Sequence, residues 1–233
     1  MRLISAPGSR EMQLAISRYY VREIAHILLS IIGQDFFKTV TLFLQYNDQA
    51  TSPEFEKKLQ ALRTFRQSRP DAEGRFITPN YVDELIGAVK MLYEQHQNRV
   101  RFERGAVVEL LASELVNARC DSGECKNNHR FVDGRFETDQ VDVAVLSESR
   151  REIEGYACKI KPIGIMSEDC TNLTALASKA QELGYEVEIG AISFDYSRFI
   201  AQRLQDRLND ISHKVPFNAY GVDNMQDLGE NPF

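Results

Sequence analysis

Residues 104–162 decide the fold. They contain RGAVVELLASELV (104–116), RFETDQVDVAVLS (135–147) and REIEGYACKIKP (151–162). The first segment carries Val107, Val108, Leu111 and Leu115 at helical spacing, which predicts an amphipathic helix over 105–118 with Glu109 on a flank. The second alternates as a strand should over 140–146, and the third predicts a strand over 153–161, closed by Pro162. One helix and two successive strands therefore present a glutamate, an aspartate and a lysine. That order can bring three side chains to one metal-sized point.

Downstream, 171–183 reads as a helix closed by Gly184 as its C-terminal cap, 185–194 as a strand, and 196–211 as a helix. The segment 215–225 adds a short strand. Upstream of 135, residues 121–128 (DSGECKNN) read as a turn. Residues 129–136 read as a strand or hairpin around Asp133-Gly134, a strong turn dipeptide. This succession is a mixed α/β core.

Residues 1–98 read differently. Apolar residues from Leu14 to Ile31 recur at three- and four-residue steps, and Gly33 ends or interrupts that helix. A second helix follows over 35–46, and further helices lie before and after a linker at 68–80. A loop is expected at 47–53. No strand is evident, so the expectation is an all-helical N-terminal region over 1–98 and an α/β domain over 99–233.

Composition sets outer limits. The chain has 233 residues, of which 43% are hydrophobic and 27% charged, values of a globular protein. No apolar run reaches the ~18 residues of a membrane span, and the N-terminus lacks the apolar core of a secretory signal. A cytoplasmic location follows, with the four cysteines as thiols. The net charge of −6 argues against a strongly basic nucleic-acid coat, although it averages over local faces.

Asp142 is the residue that most needs an explanation. It stands between Val141 and Val143 in an apolar strand, where carboxylates are depleted, and an ionised carboxylate buried without a partner is costly. It is paired, metal-bound, or at an open strand end. Lys159 poses the same question on the next strand, and an ion pair between the two is the answer that needs no ligand. Glu109 alone reads as a solvated helix face. Cys120, Cys125 and His129 have loose zinc-like spacing, with Asp121 or Glu124 as further donors, but they lack the tight spacing of a structural site. No phosphate-binding glycine loop and no G-x-S-x-G elbow is present.

Together, Arg104, Gly105 and Glu109 on the helix, QVDVAV around Asp142 and YACKIK around Lys159 resemble the core of the PD-(D/E)xK nuclease superfamily. The likeness is closest to its restriction-endonuclease-like and Holliday-junction-resolvase-like members and covers roughly residues 104–220. It implies a restriction-endonuclease-like mixed sheet flanked by helices. It also implies hydrolysis of phosphodiester bonds, most readily of DNA, in restriction, repair or defence. Glu109, Asp142 and Lys159 would be catalytic, and Glu109 and Asp142 would hold one or two Mg²⁺ or Mn²⁺ ions. Arg104, Lys161 and Arg198 would contact nucleic acid. The N-terminal helices would serve a homodimer or a partner protein.

The sequence departs from this pattern at one place. The family's strand has an acid two residues before the lysine, and here that residue is Ala157. Glu154, Glu137 and Asp139 are the acids near enough in sequence to fill the gap. The departure leaves a second reading open, a catalytically weakened or inactive nuclease-fold module for nucleic-acid binding or assembly.

Overall fold

The structure, a computed structural model, describes residues 1–7, 9–46, 53–68, 79–94, 97–120, 123–209, 215–230 and 232–233. The expected loop at 47–52, most of the linker at 68–80, Asp121 and the helix end at 211 lie outside the described residues.

The elements run β1 (Arg2–Ser5), α1 (Ser9–Ile16), α2 (Tyr19–Ser30), α3 (Asp35–Tyr46), α4 (Pro53–Ser68), α5 (Pro79–Glu94) and α6 (Gln97–Arg119). They continue with β2 (Glu124–Asp133), β3 (Phe136–Glu137), β4 (Val141–Ser147), β5 (Glu152–Lys159), α7 (Ser167–Glu182), β6 (Glu186–Ser193), α8 (Ser197–Leu208) and β7 (Phe217–Tyr220). The strands form one seven-stranded sheet in the order β1-β2-β4-β5-β6-β7, with β3 paired to β2. β1, β2, β4 and β5 pair antiparallel, while β5, β6 and β7 run parallel. The fold is therefore mixed α/β, with a sheet flanked by helices and helices at the N-terminus.

Both faces of the sheet are covered. On one, Val143, Val145, Tyr156, Cys158, Ile192 and Phe194 pack with Val107, Val108 and Leu111 of α6 and with the N-terminal helices beyond it. On the other, Ala144, Leu146, Ile153, Ala157 and Ile189 meet Leu173, Leu176 and Ala180 of α7. Ile200 and Leu204 of α8 extend this second layer over Ala191. Double coverage explains why all of β4 is buried and reads as an apolar run, and why Asp142 is conspicuous within it.

Three expectations change. The first 98 residues are not wholly helical, because Arg2–Ser5 pairs antiparallel with His129–Val132. Only Leu3 and Ile4 supply an apolar signal there, and the strand is stabilised by the open edge of β2 rather than by its own pattern. The boundary at 98/99 falls inside the first turn of α6, and one apolar core joins α2, α3 and α5 to α6 and the sheet. Finally, β2 begins at Glu124, so most of the expected turn is strand. Cys125 and Asn127 turn toward α6, where they bond the Ser113 and Glu109 carbonyls. Polar inward residues hid the alternation.

Elsewhere the turn chemistry holds. Gly33, Gly134 and Gly184 adopt φ of 81°, 60° and 75°, where only glycine avoids the Cβ penalty. Gly33 separates α2 from α3, Gly134 turns β2 into β3, and Gly184 follows α7.

Candidate active site

The site forms where β4 and β5 part. Their ladder runs from Ser147↔Glu152 to Val143↔Tyr156. Beyond it, Ala157–Lys159 keep only the pairing with β6 that runs the whole length of β5. The Cys158 amide that β4 no longer satisfies is taken by Asp142, whose Oδ2 accepts it at 2.8 Å. The side chain thus does the work of a ladder carbonyl, and satisfying that buried N–H avoids a penalty of about 1–3 kcal/mol.

A local break in the strands aims these groups. Strict alternation would put Val141 and Val143 on one face, yet they belong to opposite cores. Asp142 sits at the break, 8% exposed. In β2, Asn128 has φ 57°, a conformation asparagine tolerates better than most residues. With that twist, adjacent residues reach the same target. Asn127 Nδ2 donates to the Glu109 carbonyl at 3.3 Å, and Asn128 Nδ2 donates to Glu109 Oε2 at 2.7 Å. Gln140 Nε2 donates to Asn128 Oδ1 and, at 3.4 Å, to Asp142 Oδ1. The two amides link the two carboxylates.

Glu109 is 2% exposed, not a solvated flank. Burial pushes its pKa well above the usual carboxylate range, and the nearby Asp142 charge adds to this; the Asn128 hydrogen bond and Lys159 pull the other way. Lys159 Nζ lies 2.9 Å from Asp142 Oδ2 and 3.2 Å from Asp169 Oδ1. Burial works against the ammonium charge, but Asp142 and Asp169 outweigh it and hold its pKa above that of an ordinary lysine. The two carboxylates therefore favour the ammonium form of Lys159.

Ala157 faces α7 within the second core, and no acid from the same strand takes its place. Glu154 is bonded by the Arg119 guanidinium through both carboxylate oxygens and by the Tyr156 hydroxyl at 2.7 Å. Glu137 pairs with Arg130 across the β2–β3 hairpin. Asp139 is exposed, its amide bonded to Asn172 at 2.8 Å. Besides Asp142, a second acid touches Lys159, and it comes from the first turn of α7. Asp169 also accepts the Met166 amide at 2.8 Å, which fixes its carboxylate.

Glu109, Asp142 and Lys159 share a cleft of about 870 Å³, whose wall also includes Arg101, Arg104, Gln140 and Lys161. Arg104 is 2% exposed, and its Nη1 donates to the Leu44 carbonyl at 2.7 Å, so it stiffens the wall. Lys161 is half-buried. Arg198 is not among the lining residues; it lies over the rings of Tyr196 and Phe199 at 5.6 and 4.7 Å. Glu109, Asp142 and Lys159 are thus brought together, with Lys161 beside them and Arg198 apart. Asn128, Gln140 and Asp169 complete the polar network and carried no sequence signal beyond their polarity.

The donor set fits a hard divalent cation in part. Glu109 and Asp142 line the same cleft, and the Asp142 charge raises the Glu109 pKa, a repulsion that a cation would relieve. Among the described residues no group of three His, Cys, Asp or Glu side chains is arranged to hold a metal. Water and substrate oxygens would have to complete the shell, a habit of Mg²⁺. Cys120 and Cys125 are free thiols, and burial pushes the Cys125 thiol up to about 12.

No family model matches the chain, and no curated protein matches it. Its fold is similar to that of Can2 from Sulfobacillus thermosulfidooxidans in complex with cyclic tetra-adenylate, with a TM-score of 0.38 and 14% identity over 84% of this chain. The chain spans 53% of that protein's length. A likeness this slight bears on neither activity nor ligand. No helix among the described residues is long and apolar enough to cross a membrane.

Proposed function

We propose that this chain is a divalent-metal-dependent nuclease that hydrolyses phosphodiester bonds of nucleic acid, with DNA as its first candidate substrate. The observation that carries this reading is the meeting of Glu109, Asp142 and a charged Lys159 in one cleft, at the point where β4 and β5 diverge. Glu109 and Asp142 would hold Mg²⁺ or Mn²⁺, which when bound polarises a phosphate and lowers the pKa of a water. Asp142, fixed by the Cys158 amide, presents Oδ1 toward Gln140 and the cleft. Lys159, fixed by Asp169, holds positive charge where negative charge grows on the phosphate. The order α6, β2, β4, β5, α7, β6 agrees with the PD-(D/E)xK core that the motifs resemble.

One observation favours a second reading. Asp142, Lys159 and Asp169 already form a satisfied chain of charges, and position 157 supplies no acid. A nuclease-fold module that binds nucleic acid without cutting it would show the same arrangement.

Incubating the protein with supercoiled, linear and single-stranded DNA, and with RNA, in Mg²⁺ or Mn²⁺ separates them. The nuclease reading predicts cutting that Asp142→Ala and Lys159→Ala each abolish. Binding without cutting above the level of the double variant supports the second reading.

A further inference from the structure

On α6, Phe102, Gly105 and Glu109 follow one another at three- and four-residue steps, so they form a single stripe along the helix. All three line the cleft. Glu109 lies at its floor, and Phe102 lies two turns away, roughly 10 Å along the helix axis. Between them Gly105 leaves the path clear, because a Cβ placed there would meet nothing within 4 Å. Phe102 is 37% exposed, and Ile163, in the turn after β5 and lining the same cleft, is 72% exposed. Arg101 lies beside Phe102, and Lys161 lies two residues before Ile163. The channel from rim to carboxylates therefore has an aromatic ring and an aliphatic side chain at its mouth, each with a cation next to it.

We infer that this cleft takes an unpaired nucleic-acid strand, with Phe102 stacking on a base near the scissile phosphate and Arg101 and Lys161 contacting the flanking phosphates. The inference deepens the nuclease reading and rests on it for the position of that phosphate. A duplex offers an enzyme its phosphates and groove edges, while the faces of its bases are covered by their neighbours. Exposed apolar side chains at the mouth would then meet only sugar and phosphate. An unpaired base offers its π-face, and stacking on an aromatic side chain is sequence-tolerant. The cleft volume, about 870 Å³, is of small-ligand size and has room for a splayed base.

The test is equilibrium binding, measured by fluorescence anisotropy in EDTA so that no cutting occurs. The probes are a labelled single-stranded oligonucleotide, its duplex, and a single strand of equal length with abasic sites. The expected order is single strand, then abasic strand, then duplex, with about a tenfold loss from single to abasic strand. Phe102→Ala should lose about tenfold on the single strand and nothing on the abasic strand, and Phe102→Trp should restore the difference. Phe102 belongs to none of the apolar cores, and a thermal melt of each variant checks that the fold is kept. Equal affinity for duplex and single strand, or an unchanged Phe102→Ala, overturns the inference even if the protein cuts DNA. Phe102-dependent binding without any metal-dependent cutting keeps the strand-binding cleft and removes the nuclease.

Discussion

Asp142 Oδ2 accepts both the Cys158 amide at 2.8 Å and the Lys159 ammonium at 2.9 Å. One carboxylate oxygen therefore replaces a missing ladder partner and neutralises a cation. The structural and chemical roles of Asp142 meet at that atom.

Replacing Lys159 with Met tests its electrostatic role. The lysine side chain is 25% exposed and that of Asp142 10% exposed. The loss should be smaller than the ~3–5 kcal/mol of a fully buried pair and nearer ~1–2 kcal/mol. Thermal melts should show a Tm lower by about 2–8 °C. Activity should fall to background although the fold survives. A variant that melts like the wild type but still cuts removes Lys159 from the site.

Glu109 predicts a pH dependence. Its pKa is raised in the fold, so the folded state favours the protonated acid. Its contribution to stability is complete below the ordinary glutamate value of about 4.3. That contribution is lost as pH rises through the higher folded value. Glu109→Gln removes the buried charge and can still accept the Asn128 hydrogen bond. In EDTA the variant should melt above the wild type at pH 8, with the gap closing as pH falls. A gap independent of pH contradicts this account. Asn128→Gly keeps the positive φ but removes the bond that lowers the Glu109 pKa, so Mn²⁺ binding should require a higher pH.

Gly105 separates stability from function. A glycine inside a helix costs about 0.5–1 kcal/mol relative to alanine, and the site has room for a Cβ. Gly105→Ala should raise stability by about that amount in denaturant titrations. Gly105→Leu should fold but obstruct the path between Phe102 and Glu109, lowering strand binding and cutting together. Full activity in the leucine variant would place the substrate elsewhere.

The Arg119–Glu154 pair belongs to the fold. Its side chains are 8% and 2% exposed, and Arg119 Nε also donates to the Leu228 carbonyl at 2.8 Å. Arg119→Ala should cost about 3–5 kcal/mol, because it leaves a buried carboxylate unpaired. Glu154→Gln should leave Mn²⁺ affinity unchanged; a large loss would make Glu154 the acid that Ala157 lacks.

The sequence made the central elements legible because their patterns are local. QVDVAV and YACKIK alternate or run apolar, and a carboxylate and an ammonium stand out within them. Glu109 was less legible, since the same helix flank would be solvated if β2 did not pass over it. Asn128 owes its role to a positive φ and Asp169 to the packing of α7 on the sheet, and neither depends on neighbours in sequence. Arg2–Ser5 is a strand only because a distant strand offers an edge. Position 157 belongs to the apolar face under α7, and that helix brings a second carboxylate, Asp169, to Lys159 beside Asp142.

Titrating Mn²⁺ into the wild type, Glu109→Gln and Asp142→Asn at pH 7.5, followed by calorimetry, tests most directly whether the two carboxylates hold one cation. The account predicts binding by the wild type and its loss in both variants. Wild-type protein that binds no Mn²⁺, or variants that bind it as the wild type does, would contradict it.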